Sequence, residues 1–322
     1  MITNKLFNYM QKNPEQPYVV VIGGLNIDLQ GSSNKPLVLN DSNPGEIAMS
    51  AGGVGRNIAE NIAKLNIHSK ILSYVGDDTF GGFVIDKSKK SGVDTSPLIK
   101  HSHLPTSQYL SILDDNNDML VSISDMRIID EMTVQDIDQW DQFISMSSVI
   151  VIDTNVPIPV IEHITEKYSK IPLFLDPVSY AKTSKILDLI GRFHTIKPNR
   201  LETELISGIK ITDKASMQKA AEIIFEKGCQ QIFITLGREG VFYYNGNDSG
   251  QHLFESANVL SANGAGDAFT AGIVYGFLKL NNIKETAKFA SAAAVIALRS
   301  INTISDELSE ESVKLLLKEE SL

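Results

Sequence analysis

The sequence predicts an α/β fold: a doubly wound, mostly parallel central sheet flanked by helices, with a small β-sheet lid. Short apolar runs rich in β-branched residues alternate with segments of helical periodicity along most of the 322 residues, as in strands joined by helical crossovers. The first run, 18–25 (YVVVIGGL), is unbroken by charge, which is typical of a parallel strand buried on both faces. Two polar segments, 29–50 and 103–124, interrupt the alternation.

The predicted elements of the main domain, 18–322, follow an N-terminal appendage. Residues 1–17 contain a short helical pattern that Asn13-Pro14 ends, because proline disfavours helix at the residue before it. After the first strand, further strands are expected at 70–76, 148–153, 172–176, 194–197 and 231–237. Helices are expected between them at 56–66, 79–91, 157–169, 201–207 and 213–228.

The two interrupting segments predict a separate small sheet. Segment 103–124 alternates apolar and polar residues and turns at 114–118 (DDNND), which indicates a hairpin. Both this segment and 29–50 are too polar for the buried central sheet. We therefore expect the two segments to form a lid over one edge of the main domain.

The composition excludes several classes of function. The formal net charge of −10, from 39 acidic and 29 basic residues, argues against nucleic acid and anionic membranes as partners, since both need clustered Lys and Arg. The one cysteine, Cys229, excludes an intrachain disulfide and a thiolate metal cluster, and a buried or incidental thiol is expected. No apolar run is long enough for a membrane span, and no signal peptide is recognisable. We therefore expect a soluble cytoplasmic protein.

The loops after the strands are where ligands bind in such sheets. The first strand ends in GGLNID, which places the amide of Asn26 and the carboxylate of Asp28 at its mouth. Asp28 could accept hydrogen bonds from two sugar hydroxyls. The alternative is that Asp28 only caps a turn.

Residues 51–57 (AGGVGRN) form a glycine-rich helix start. They do not match the dinucleotide fingerprint, because no glycine lies three residues after Gly55 and the motif does not follow the first strand directly. A dehydrogenase is therefore disfavoured. The backbone of Gly52 and Gly53 and the amide of Asn57 suit a polyhydroxylated ligand instead.

Asn199 and Glu202, in KPNRLE (197–202), lie three residues apart at a helix start and hence on one face. An amide and a carboxylate so placed could hold a hydrated Mg²⁺. The same pattern is also typical of helix capping, which is the more frequent outcome.

Residues 235–241 (TLGREGV) end another strand in a glycine turn. Thr235 and Gly237 would allow the ribose or phosphate of a nucleotide to approach. The stretch could equally be a plain hairpin into VFYY.

The stretch 261–269 (SANGAGDAF) precedes an apolar helix, 268–280. The backbone N–H groups of Gly264, Ala265 and Gly266 at such a helix start are a natural cradle for a phosphate. Alternatively, the glycines only loosen a turn and Asp267 is an ordinary first-turn residue.

Taken in order, these motifs resemble the PfkB, or ribokinase-like, family of carbohydrate and nucleoside kinases, from Tyr18 to about Ser305. The motifs that carry the resemblance are GGLNID, GGVGRN, NRLE, TLGREGV and GAGDAFTAG. Within the family the chain is most similar to the branch that phosphorylates pseudouridine, through NIDLQG, DSNPG, GGVGRNIAENIA, LDPVS and KPNRLETE.

The resemblance implies a reaction and roles for these residues. It implies ATP-dependent phosphorylation of the pseudouridine 5′-hydroxyl, with Asp267 as general base and the 264–266 backbone as anion hole. Mg²⁺·ATP would be organised by Asn199 and Glu202, and the ribosyl hydroxyls would be held by Asn26, Asp28, Gly53 and Asn57. The base would be read by 122–126 and Lys182. A kinase for another nucleoside or sugar, and a non-catalytic binding module, are the alternatives.

The chain departs from the family at Ser261. Many members have Asp at this position, and that Asp helps to bind an activating monovalent cation. Its loss here argues against K⁺ dependence, although the loop 299–305 could still offer carbonyl groups. Lid sheets of the family often pair in dimers, so a homodimer through the lid is a further expectation, supported by the open sheet edge.

Overall fold

The computed structural model describes residues 17–116, 118–253 and 259–320. The expected appendage, 1–17, lies outside the described residues except for Pro17. Within these ranges the strands are β1 (Tyr18–Ile22), β2 (Asn26–Ser33), β3 (Gly45–Gly52), β4 (His68–Leu72), β5 (Tyr74–Gly76), β6 (Ile99–His101), β7 (Ser107–Leu113), β8 (Met119–Asp125), β9 (Val149–Asp153), β10 (Leu173–Asp176), β11 (Thr195–Ile196), β12 (Gln231–Thr235), β13 (Val241–Tyr244) and β14 (Ser249–His252). The helices are α1 (Val54–Lys64), α2 (Thr79–Lys90), α3 (Arg127–Asp130), α4 (Val134–Gln139), α5 (Asp141–Ile144), α6 (Ile158–Lys167), α7 (Tyr180–Thr183), α8 (Arg200–Ser207), α9 (Lys214–Glu226), α10 (Ala265–Lys279), α11 (Ile283–Leu298) and α12 (Glu310–Glu320), with 3₁₀ turns at Leu187–Arg192 and Gly237–Glu239.

The central sheet has eight strands in the order β14-β13-β12-β11-β10-β9-β1-β4. Strands β4, β1, β9, β10, β11 and β12 run parallel, and at one edge β13 pairs antiparallel with β12 and β14 pairs antiparallel with β13. After β1 the chain first adds β4 on one side and then builds β9 to β14 on the other. The topological switch point therefore lies between β1 and β9, and the crevice outside their carboxyl ends is where a ligand is expected.

The central sheet is buried on both faces, as the unbroken apolar strands require. On β1, Val19 and Val21 belong to a core shared with α1, α10 and α11. Val20 and Ile22 point to the opposite core, shared with α4, α6 and α9. The predicted α/β fold with helices on both sides of a mostly parallel sheet is confirmed.

The small sheet has four strands in the order β3-β2-β7-β8, and its two faces differ in polarity. Asp28 pairs with Ser50 and Tyr109, so these side chains share a polar face. The neighbouring Leu29 pairs with Met49 and Leu110 on the other face, which is apolar. The strands arise from the two segments that interrupt the sequence pattern, and their action as a lid stays a prediction.

Three local expectations from the sequence need correction. The expected strand 70–76 is two strands, because β5 leaves the central sheet and pairs with β6. The expected strand 231–237 ends at Thr235, where a 3₁₀ turn and the antiparallel β13 follow. The first strand ends at Ile22 rather than Leu25, since Gly23 and Gly24 turn the chain toward β2.

One smaller expectation agrees with the structure. Cys229 is buried and its thiol donates to the Ile190 carbonyl oxygen at 3.0 Å, while burial raises its pKa to about 12. Among the described residues, no helix combines the length and the apolar character needed to cross a membrane.

Candidate active site

Two buried carboxylates end neighbouring strands at the switch point. Asp153 ends β9 and Asp176 ends β10, and the two residues are register partners. The backbone N–H of Gly24 donates to Asp153 Oδ2 at 2.7 Å. A Cβ on Gly23 would lie 2.3 Å from the same oxygen. The glycines that end β1 therefore leave the space that Asp153 occupies.

Helix α10 begins without a capping side chain. Gly264 precedes it at φ +77, and a Cβ there would lie 1.7 Å from the Thr303 carbonyl oxygen. Glycine is therefore required both for its left-handed backbone and for this close contact. Gly266 is exposed and Ala265 is half-buried. Because first-turn N–H groups have no partners inside a helix, they are available here to an anion.

Asp267 lies on the first turn of α10 beside Asn57 of α1. The Asn57 Nδ2 group donates to Asp267 Oδ2 at 2.9 Å. The pKa of Asp267 is raised to about 7, first by burial and then by the charges of Asp176 and Asp153, while the Asn57 hydrogen bond and the charge of Lys197 act in the opposite direction. A carboxylate with a pKa near neutrality is suited to accept and release a proton at physiological pH.

Lys197 places a fixed positive charge under the start of α10. Its Nζ lies 3.3 Å from Asp176 Oδ2, and both side chains are largely buried. The Thr270 hydroxyl donates to the same oxygen at 2.9 Å. A Cβ on Gly266 would be 3.4 Å from the ammonium group. Burial opposes the charge of Lys197, but the surrounding carboxylates outweigh it and raise its pKa.

Asn26 and Asp28 lie together at the start of β2. Asn26 Nδ2 donates to Asp28 Oδ1 at 2.6 Å, and burial raises the pKa of Asp28. A Cβ on Gly52 would lie 2.3 Å from Asp28 Oδ2, so the carboxylate packs over a bare backbone. The next residue, Gly53, has φ +99. Helix α1 begins directly after Gly53, so the backbone under Asp28 continues into the helix that carries Asn57.

Asn199 and Glu202 form a reciprocal capping box at the start of α8. The Glu202 N–H donates to Asn199 Oδ1 at 3.0 Å, and the Asn199 N–H donates to Glu202 Oε2 at 2.8 Å. The capping alternative left open by the sequence is therefore what the structure contains.

The same two residues remain compatible with a magnesium ion. Amide and carboxylate oxygens retain lone pairs beyond the backbone contacts of the capping box. Within 17–116, 118–253 and 259–320, no three His, Cys, Asp or Glu residues form a metal-holding group. One amide and one carboxylate would suit a Mg²⁺ ion that keeps most of its waters, as Mg²⁺ usually does.

Thr235 adjoins this capping box, whereas Gly237 lies farther out. Asn199 and Thr235 form an isolated parallel bridge, and the Thr235 N–H donates to the Pro198 carbonyl oxygen at 2.9 Å. Gly237 is exposed and its backbone has φ +61, and a Cβ placed on it would have no described residue within 4 Å except its own chain neighbours. The turn leads into the β12–β13 hairpin, as the simpler interpretation of the sequence expected.

Sequence reasoning gave no role to Asp153, Asp176 or Lys197, although the structure puts all three around Asp267. Their positions in the sequence could have identified them, because the two aspartates are the last residues of two strand-like runs and Lys197 is the last residue of a third run. Side chains at the carboxyl ends of neighbouring parallel strands meet at one edge of the sheet.

The chain matches the pfkB family of carbohydrate kinases over residues 16–310. It belongs to this family. Escherichia coli pseudouridine kinase is 37% identical to this pfkB kinase over 93% of the chain and 96% of that relative. The uncharacterized sugar kinase YeiI of the same organism is 33% identical over 89% of the chain and 79% of that relative.

Among solved structures, the Arabidopsis thaliana ribokinase complexed with ribose and ATP superposes with a TM-score of 0.81. It covers 94% of this chain and 99% of that one at 21% identity, which shows a shared fold. Membership of the pfkB family and the similarity to a kinase at 37% identity make this chain an ATP-dependent phosphotransferase that acts on a sugar or a nucleoside.

Proposed function

We propose that this kinase transfers the γ-phosphoryl group of ATP to the 5′-hydroxyl of pseudouridine. The observation that supports the chemistry most directly is Asp267, a carboxylate with a pKa of about 7 on the first turn of a helix whose N–H groups are bare. The substrate assignment is supported by 37% identity to a pseudouridine kinase over 93% of the chain.

In this proposal Asp267 accepts the proton of the 5′-hydroxyl as its oxygen attacks the γ-phosphorus. A new P–O bond forms to the nucleoside, the bond to the β-phosphate oxygen breaks, and ADP leaves with that electron pair. The N–H groups of 264–266 stabilise the negative charge on the transferring group. Lys197, beneath Gly266, adds a positive charge at the same position.

The nucleotide side of the site is formed by residues beyond α10. Asn199 and Glu202 would hold Mg²⁺ through water, and Thr235 and Gly237 would border the nucleotide. When bound, Mg²⁺ would neutralise part of the phosphate charge. The acceptor side is formed by Asn26, Asp28, Gly52, Gly53 and Asn57, whose amides, carboxylate and backbone suit ribosyl hydroxyls.

A cavity of about 430 Å³ supports the proposal that the acceptor is a nucleoside rather than a simple sugar. Ser124, Met126, Asn155 and Lys182 are among its lining residues, and the Lys182 ammonium donates to Asn155 Oδ1. Ser124 shares the polar face of the small sheet with Asp28, two strands away across Tyr109, or roughly 10 Å. The carbonyl and N–H groups of a uracil ring would find donors and acceptors there.

A substrate panel tests this proposal. Pseudouridine, uridine, adenosine, ribose and fructose are compared as acceptors with Mg²⁺·ATP, and both products are quantified. Pseudouridine should have the highest kcat/KM, and Asp267→Asn should lower turnover by about 10² to 10⁴, whereas Asp86→Asn on the exposed face of α2 serves as the matched control. Equal turnover by Asp267→Asn would refute the role of the base.

A second candidate is a pfkB kinase for another nucleoside or sugar, which the 33% identity to an uncharacterized sugar kinase supports. The same panel separates the two, because a different acceptor would then be phosphorylated far faster than pseudouridine. We place either reaction in the cytoplasm, where ATP is available.

We also propose that the small sheet pairs with a second copy of this chain. Its outward face carries Leu29, Met49 and Leu110 in one row, with Ile47 at 81% and Ile123 at 64% exposure beside them. Contiguous apolar patches of this kind usually mark an interface. Sedimentation should therefore give a dimer that Ile123→Glu dissociates, and a monomeric unmodified chain would refute the pairing.

A further inference from the structure

Arg56 is a buried arginine that contacts Asn57, the residue that hydrogen-bonds the candidate base. It lies in α1 with 5% of its surface exposed. Its Nη1 donates to the Ala51 carbonyl oxygen at 3.0 Å and to Asn57 Oδ1 at 3.2 Å. Its Nη2 pairs with the Glu60 carboxylate. The guanidinium is thus held at three points.

Stability alone is a poor reason for this arrangement. A buried ion pair seldom stabilises a fold more than apolar residues of similar size would. Here the Arg56 Nε–H also finds no acceptor among the described residues, which adds the cost of an unsatisfied buried donor. The contact that distinguishes Arg56 is the one with Asn57, because it connects the guanidinium to the site.

The Asn57 amide has two ends, and among the residues that the structure describes each end has one hydrogen-bond partner. Its oxygen accepts from Arg56, and its nitrogen donates to Asp267 Oδ2 at 2.9 Å. If the amide turned over, its oxygen would face the Asp267 carboxylate and its NH₂ group would face the guanidinium. Acceptor would then oppose acceptor, and donor would oppose donor. Arg56 therefore excludes the reversed amide.

We propose that Arg56 is a positioning residue that fixes the Asn57 amide as a hydrogen-bond donor to Asp267, and thereby favours the proton-accepting form of Asp267. This inference rests on the proposed role of Asp267 as base. The other charged groups that act on Asp267 are Asp176 and Asp153, which favour its protonated form, and Lys197, which favours the ionised form. Without Arg56 the Asn57 amide is free to turn and to accept from protonated Asp267.

The test titrates Asp267 directly and does not depend on turnover. The full chain is labelled with [¹³Cγ]aspartate, and the resonance that Asp267→Asn removes is followed from pH 5 to 9. In Arg56→Lys and Arg56→Met, we expect the midpoint to rise by up to about one pH unit, because a hydrogen bond to a charged group changes an equilibrium about tenfold. The kcat/KM value at pH 7 should then fall about fivefold.

Arg56→Lys separates geometry from charge. Lysine keeps the positive charge but cannot contact Ala51, Asn57 and Glu60 together, so a rise in both variants supports the proposal. A rise in Arg56→Met alone would show a charge effect and overturn it. An unchanged midpoint in both variants, with only a lower melting temperature, would show a structural role and also overturn it.

Two further variants complete the design. Glu60→Gln keeps Arg56 but weakens its anchor, so a smaller upward shift is expected, and this variant still tests the proposal if Arg56→Met does not fold. Arg192→Lys alters a surface ion pair with Glu166 and should leave the midpoint unchanged. A shifted midpoint in a protein that phosphorylates no acceptor would refute the kinase proposal for this substrate panel but support the role of Arg56.

Discussion

The pH dependence of activity is the sharpest consequence of the site. The pKa of Asp267 is raised from 3.8 to about 7 by burial and by neighbouring carboxylates. The ionised fraction is then about nine tenths at pH 8 and about one tenth at pH 6. We therefore expect kcat/KM for the acceptor to fall about tenfold between these values. A base with an ordinary carboxyl pKa would give no change in this range.

The measurement uses saturating Mg²⁺·ATP and direct chromatographic quantification of ADP from pH 5 to 9. Because phosphate groups titrate near pH 6, Asp176→Asn serves to assign the acid limb. This variant removes a negative charge that raises the pKa of Asp267 and leaves the charge of Lys197 unpaired, so the midpoint should move to lower pH. A midpoint below pH 5, or one that Asp176→Asn does not move, would refute this reasoning.

Four other predictions follow from the contacts. Asp267→Asn should lower kcat by about 10² to 10⁴. The same variant should raise the melting temperature more at pH 8 than at pH 5, because the raised pKa of Asp267 lowers the stability of the fold as pH rises above 4. Gly52→Ala should displace the Asp28 carboxylate and raise KM for the acceptor about tenfold, with little change in melting temperature. Lys197→Met should destabilise the fold by about 3 kcal/mol, as for a broken buried ion pair, and should move the acid limb to higher pH. With Ser261 in place of a carboxylate, replacing K⁺ by Na⁺ in the assay should change kcat less than about twofold.

The fold class and the family could be predicted from the sequence because both depend on long, repeated signals. The unbroken strands and the order of five motifs, four of which contain glycine, suffice for them. The split of 70–76 into β4 and β5 could not be predicted, since the run is apolar on both sides of Ser73 and pairing with β6 decides where β5 goes. Tertiary pairing of this kind leaves no trace in local propensity.

The site was predicted in part. The sequence places Asp267 and the glycines of 264–266 on a helix start, and the structure contains that helix start. Asn199 and Glu202 show the limit of such reasoning, because the spacing that could hold Mg²⁺ is also the spacing of a capping box. The contact between Asn57 and Asp267 joins residues 210 positions apart, and no local pattern could predict it.

The candidate base and the carboxylate proposed to bind the acceptor lie on different elements of the fold. Asp28 belongs to β2 of the small sheet, whereas Asp267 begins a helix packed on the central sheet. Because Asp28 is proposed to bind ring hydroxyls and not the reacting oxygen, a water molecule that approaches the base gains nothing from it. An alcohol attached to a sugar ring is anchored at a distance from its reacting oxygen. The choice between phosphoryl transfer to an acceptor and hydrolysis of ATP therefore depends on the distance between the anchored hydroxyls of the acceptor and its reacting oxygen. Turnover should then depend on the length of the acceptor as much as on its functional groups.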